Sequence, residues 1–210
     1  RSRYRDFSKR LLALPRAGWS RADSVDYLLL RSAVERIHWE LDILKAPFRN
    51  PDFYVQQTLE AVLELLLLSP PMNDARMNDI LLMLESFPGT AKQARVNLTE
   101  PVVPFANLAL ANLQGVHTRL TKMAVGLKEV ADKKHHARLD RAVSAAAGAL
   151  EEYADWLRER IPTMDTRFSI GKEAYENYLH TIALIPRTPE EILTLRKAQF
   201  KRPVSGETIE

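Results

Sequence analysis

Cysteine is absent from this 210-residue chain, which removes disulfide frameworks, thiolate nucleophiles and sulfur-ligated metals and leaves the redox compartment open. Glycine is scarce, at seven residues, and Val, Ile and Thr never gather into the alternating runs that strands require. Helix is therefore the expected state throughout. No hydrophobic run approaches the roughly 20 residues that cross a bilayer. The most apolar stretch, Ala61 to Leu68, is interrupted by Glu64 and closed by Pro70 and Pro71, and it reads as a buried core helix. An excess of one charge is also lacking. With 30 Lys and Arg against 27 Asp and Glu, the net charge of +3 reads as dispersed along the chain, with basic residues alternating with acidic ones. That argues against a nucleic-acid or membrane partner.

What is present is a 46% hydrophobic composition, enough for a sizeable core. The chain opens on Arg1 and not Met, so its natural start is expected upstream, with room for a removed signal peptide. Residues Arg3 to Leu14 suit a first helix docking by Tyr4, Phe7, Leu11 and Leu14. Tyr27, Leu30, Val34, Ile37, Leu41 and Leu44 recur at steps of three and four and define the stripe of a second helix, capped by Asp23 or Ser24 and stopped at Pro47. Arg49-Asn50-Pro51-Asp52 is a turn with a cap for a third helix from about Phe53 to Leu68. A fourth starts at Asn73 or Asp74 with Met77, Ile80, Leu81 and Leu84 inward. Phe87-Pro88-Gly89-Thr90 is expected to interrupt it before a short helix carrying Ala91, Ala94 and Leu98.

The longest regular feature follows. From Val102, the residues Ala106, Ala109, Leu113, Val116, Leu120, Met123, Leu127 and Val130 keep a heptad seam, and Leu139, Val143, Ala146, Leu150, Tyr153 and Leu157 keep a second. The short polar Asp132-Lys133-Lys134-His135-His136 turn between them predicts a long antiparallel hairpin. Ser144 to Ala149 are small and predict a close helix approach that offsets the roughly 1 kcal/mol helix cost of Gly148. Beyond Pro162 a linker leads to a helix from Gly171 to Ile185 with Tyr175, Tyr178, Leu179 and Ile182 inward. Thr188-Pro189-Glu190-Glu191 is a strong start for the last helix. The expectation is one all-α, multi-helix bundle over residues 1–202 with a tail at 203–210.

No catalytic constellation is visible. The five histidines, His38, His117, His135, His136 and His180, never make the H-E-x-x-H spacing of zinc hydrolases. Glu35 to His38 has the Glu-x-x-His spacing of di-iron bundles, but once, and Glu176 to His180 is one residue too long; both read as helix-surface pairs. His135-His136 reads as a solvated basic loop. Arg158, Arg160 and Arg167 read as a solvated helix end, and Trp39 and Phe53-Tyr54 as packing. Asn97-Leu98-Thr99 matches a glycosylation sequon, a weak three-residue pattern. Neither a G-x-S-x-G elbow nor a Gly-rich phosphate loop occurs. Catalytic, cofactor-binding and metal residues are thus expected to be none in this chain.

One set of motifs is more specific. Phe168-Ser-Ile-Gly171-Lys-Glu-Ala-Tyr175, Tyr178-Leu179 and Pro186-Arg-Thr188-Pro189-Glu190-Glu191 resemble a signature of the bacterial family catalogued as domain of unknown function number 885. Trp19-Ser20-Arg21-Ala22-Asp23, Tyr27-Leu28-Leu29, Arg49-Asn50-Pro51 to Tyr54, Phe87-Pro88, Ala94-Arg95-Val96-Asn97-Leu98, Ala149-Leu150 to Tyr153 and Trp156-Leu157 are similar to that family in the same order. The resemblance implies a longer, all-helical, often exported bacterial protein whose C-terminal half carries an H-E-x-x-H-type helix and looks like a zinc-dependent peptidase. This chain would be the N-terminal half, inactive alone, a wall or lid of the substrate groove, with the zinc and the peptide chemistry elsewhere. Its partner would be the missing half, with a homo-oligomer through exposed apolar faces as a further option. The competing expectation is a free-standing interaction module using the 102–160 hairpin.

Overall fold

The computed structural model describes residues 2–67 and 71–200. The expected tail at 203–210, the boundary at Arg202, and Leu68 and Pro70 at the end of the apolar run lie outside them. The helices are α1 Ser2–Leu12, α2 Arg21–His38, α3 Ala46–Arg49, α4 Pro51–Val55, α5 Ala61–Leu67, α6 Asp74–Asn97, α7 Val103–Leu113, α8 Val116–Val130, α9 His136–Arg160, α10 Lys172–Asn177 and α11 Pro189–Phe200. Three wide π turns, Trp39–Ile43, Gln56–Glu60 and Tyr178–Ile182, continue α2, α4 and α10. Among the described residues the one β feature is an isolated bridge between Val102 and Asp165. The fold is all-α.

The chain forms two compact units, Arg1–Leu44 with Ser169–Glu210, and Lys45–Phe168. In the second, α6 and α8 both pack on α9. Lys128 meets Asp140 at 2.5 Å and His117 meets Glu151 at 3.3 Å, so α8 runs antiparallel to α9. All six residues of the second expected seam are buried, as are Ala106, Ala109, Leu113, Val116, Leu120 and Leu127 of the first. The first arm is nevertheless not continuous. Gly115 sits in the left-handed region at φ 64°, which ends α7 and starts α8. Leu113 and Val116 on either side of the break are both buried, and both helices pack on α9.

The interruption expected at Phe87-Pro88-Gly89-Thr90 does not occur, since α6 runs through Pro88. An interior proline costs about 3 kcal/mol. Leu84 and Phe87 are fully buried beside it, with Ala91 and Ala94 one and two turns on, and each large apolar side chain buried contributes about 1.5 to 3 kcal/mol. Packing outweighs the lost hydrogen bond. The apolar Ala61–Leu67 helix is the converse case: Val62 is buried, but Leu63 is exposed and Leu67 is 74% exposed, so it is not a core helix on all faces. Asn50 caps α4 as expected, its side chain accepting from Asp52 N at 3.0 Å. Pro47 does not stop α2; it opens α3 after a left-handed Lys45.

In the first unit α1 docks on α2 through Leu11, Tyr27 and Val34, with Trp19 edge-on to Tyr27 at 5.5 Å. Tyr4, Phe7 and Leu14, expected inward, are exposed, because this short element packs mainly on α2 and buries Leu11 there. Leu30 is exposed as well, so the stripe of α2 is narrower than its spacing suggests. The cap of α2 is Ser20 in a reciprocal box with Asp23, and not Asp23 or Ser24. Trp39 packs on Tyr178 at 5.1 Å and the Ser32 hydroxyl donates to Ile182 O at 2.6 Å, with Leu179 and Ile182 buried. Tyr175, expected inward, is exposed and stacks on Tyr178. Thr188 N donates to Glu191 Oε2 and Glu191 N to Thr188 Oγ1, the reciprocal cap their spacing predicts.

Candidate functional site

One cluster of titratable groups lies between α1 and α2, in a cleft of about 350 Å³. Its floor is Val34, Ile37 and Leu41, and its rim carries Arg5, Lys9, Glu35, His38 and Asp42. One turn past His38, the π turn places Asp42 so that His38 Nδ1 lies 2.7 Å from its Oδ2, and Arg5 reaches the same oxygen at 3.2 Å. The bond from His38, aided by Arg5, holds the Asp42 carboxyl below the ordinary carboxylate range. Ser8 donates to Glu35 Oε1 at 3.2 Å. The hydroxyl therefore serves a carboxylate, and His38 serves a different one. Glu35 and His38, the expected surface pair, turn to separate partners, so no nucleophile relay is assembled. Among the described residues, no three His, Cys, Asp or Glu side chains converge to hold a metal ion.

The remaining candidates are dispersed over the surface. His117 pairs with Glu151, Glu176 with Lys172 at 3.6 Å, and His180 is exposed. Arg158 pairs with Asp155, Arg160 lies over the Trp156 ring, and Arg167 pairs with Asp165, so the three arginines share no focus. His135 departs from the expected solvated loop. It is 8% exposed, and its Nε2 lies 3.0 Å from Asp74 Oδ1, while Lys134 pairs with the other oxygen. This pins the α8–α9 turn to the start of α6. Lys134 first, then His135, depress the Asp74 carboxyl.

A buried polar knot in the second unit escaped the sequence reading. Asp52 is 1% exposed and accepts from Asn112 Nδ2 at 2.8 Å and Gln56 Nε2 at 3.1 Å. Tyr54 donates to Pro47 O at 2.7 Å and accepts from Asn97 Nδ2 at 2.9 Å. The Tyr153 hydroxyl donates to Pro51 O at 2.9 Å, and burial pushes its pKa upward. The bonds from Asn97, Asn112 and Tyr153 tie the Pro47–Val55 stretch to α6, α7 and α9, which is a fastening role. Asn97 of the sequon is thereby committed to Tyr54. Trp39 and Tyr54 are buried in packing contacts, as expected.

Surface apolar area is unevenly placed. The first unit buries Leu11, Tyr27, Val34, Trp39, Leu179 and Ile182 among its described residues, yet exposes Tyr175, Ile185, Leu193 and Leu195 on and around its last two helices. Val25, Leu28, Leu29 and Leu30 of α2 are exposed too. Of the two hairpin seams, Val130 at the end of the first is 60% exposed and Met123 is half-buried, while the other positions are covered within the second unit. A cleft of about 620 Å³ runs between α6 and α9 over Ser144, Ala145 and Gly148. A Cβ at Gly148 would meet nothing within 4 Å, so the close approach expected there is not made.

The fold resembles that of a solved structure from Shewanella oneidensis, described as a candidate lipoprotein of unknown function, with a TM-score of 0.74 at 18% identity. The alignment covers 94% of this chain and 38% of that one. This chain thus spans well under half the length of that relative. No curated protein matches the sequence. No helix among the described residues is long and apolar enough to cross a membrane. The family comparison matches residues 1–205, nearly the whole sequence, and the chain belongs to the bacterial proteins of unknown function grouped as DUF885.

Proposed function

We propose that this chain is the non-catalytic N-terminal helical portion of a longer, zinc-metallopeptidase-like DUF885 protein, and that its helices wall or cover a substrate groove. The observation that carries this reading is the distribution of apolar surface. A portion of a larger enzyme exposes apolar groups around the last helices, where the remainder docks; a hairpin interaction module exposes them along its seam. Tyr175, Ile185, Leu193 and Leu195 are exposed, whereas Leu139, Val143, Leu150 and Leu157 are buried. The greater length of the Shewanella relative supports the same reading. Zinc ligands and the catalytic glutamate would belong to an H-E-x-x-H helix beyond Glu210, and peptide substrate would contact these helices without being cleaved by them. Export from the bacterial cytoplasm goes with the reading.

The test is the nucleotide sequence beyond the codon for Glu210, followed by expression of the longer product. An in-frame H-E-x-x-H helix, with peptidase activity lost on mutating its glutamate, is the expected result. A stop codon after Glu210, or a continuation without that helix, refutes it.

A further inference from the structure

The near-neutral total charge conceals an asymmetry. Residues 1–21 hold seven Arg and Lys against the single Asp6, a net charge of +6 in a chain whose total is +3, so residues 22–210 sum to −3. The alternation of basic and acidic residues holds for the bulk of the chain and fails at its start. This basic stretch is also where the first unit leaves apolar side chains uncovered. Arg3, Phe7 and Arg10 follow one another at steps of four and three, as do Arg5, Lys9 and Leu12, so two stripes of α1 flank the docked Leu11, with Leu14 in the bend just past the helix. Phe7 is 42% and Leu12 52% exposed, with Tyr4 and Leu14 exposed as well. The first stripe sets Phe7 between two cations, and the second sets two cations ahead of Leu12.

We infer that α1 and the bend that follows it form a peripheral docking surface for an anionic phospholipid bilayer, with Phe7, Leu12 and Leu14 entering the headgroup boundary and Arg3, Lys9 and Arg10 meeting lipid phosphates. The charge complementarity selects an anionic partner, and the apolar groups select a lipid one. A nucleic-acid backbone gains nothing from exposed Leu12 and Leu14, whereas interfacial helices combine these two residue classes. Eleven helical residues are too few to span, so the contact is with one leaflet. Arg5 already meets Asp42, and Glu35 and Asp42 line the cleft beside Lys9, so the Arg3–Arg10 stripe is the stronger electrostatic contributor. The inference does not depend on whether a zinc-binding half follows.

The experiment is flotation of the 210-residue chain with phosphatidylglycerol–phosphatidylethanolamine vesicles, against vesicles of phosphatidylcholine alone. Each cation near an anionic surface contributes about 1 kcal/mol, so Arg3→Glu with Arg10→Glu is expected to lower partitioning by about tenfold or more. Leu12→Ser with Leu14→Ser is expected to lower it as well, and about 0.5 M salt to release the unmodified chain. Equal binding to both vesicle types, no binding to the anionic ones, or full binding by the Arg3→Glu, Arg10→Glu variant overturns the inference. So does preference for duplex DNA over vesicles with no loss in the leucine variant, which would assign the patch to nucleic acid. Circular dichroism checks the fold of each variant. Should the arginine variant not fold, the lipid and salt dependence of the unmodified chain still decides.

Discussion

Asn112 Nδ2 donates to Asp52 Oδ1 at 2.8 Å, joining α7 to the start of α4 inside the second unit. Removing this donor leaves a carboxylate that is 1% exposed with Gln56 Nε2 still donating to its other oxygen. Hydrogen bonds to a charged group contribute about 1.5 to 3 kcal/mol. Asn112→Ala should therefore lower the unfolding free energy by about 2 kcal/mol in urea titration. An effect below about 0.5 kcal/mol would mean that the buried carboxylate does not depend on it.

The neighbouring Tyr153 hydroxyl offers a milder test. Tyr153→Phe keeps the ring stacked against Trp156 and removes the bond to Pro51 O. The expected loss is about 1 kcal/mol with unchanged helical content by circular dichroism.

Two glycines should respond in opposite directions. Gly115 has φ 64°, so Gly115→Ala is expected to destabilise by about 1 to 2 kcal/mol. Gly148 is mid-helix with open space where a Cβ would stand, so Gly148→Ala should stabilise this chain by about 1 kcal/mol. Denaturant midpoints of the two variants on either side of the parent are the check.

Acid sensitivity should trace in part to Asp74. Its folded pKa lies below the ordinary 3.8, held down chiefly by Lys134. The contribution is therefore complete above pH 3.8 and is lost as pH falls from there through the folded value. Asp74→Asn should flatten the acid limb of the stability curve below pH 3.8, with little change in its shape at neutral pH.

The sequence was most legible where one periodicity met one partner. The seam from Leu139 to Leu157 is buried at every expected position, and the Thr188 to Glu191 cap forms as its spacing predicts. It was less legible where tertiary context overrode local preference. Pro88 argues for a break, but the burial of Leu84 and Phe87 holds α6 together. Gly115 breaks a helix without disturbing the heptad phase, so the seam could not reveal it. Tyr4, Phe7 and Leu14 have the spacing of a docking face, yet burial needs a neighbour, and periodicity does not say whether one is there. Asp52 and His135 looked like turn residues because their partners, Asn112 and Asp74, are distant in sequence. The concentration of charge in residues 1–21 was legible throughout and was hidden by averaging.

Metal analysis of the purified 210-residue chain beside the longer gene product tests the central claim most directly. The account predicts substoichiometric zinc in this chain and an equimolar, chelator-sensitive zinc in the longer one. A tight equimolar zinc site in the 210-residue chain would contradict it.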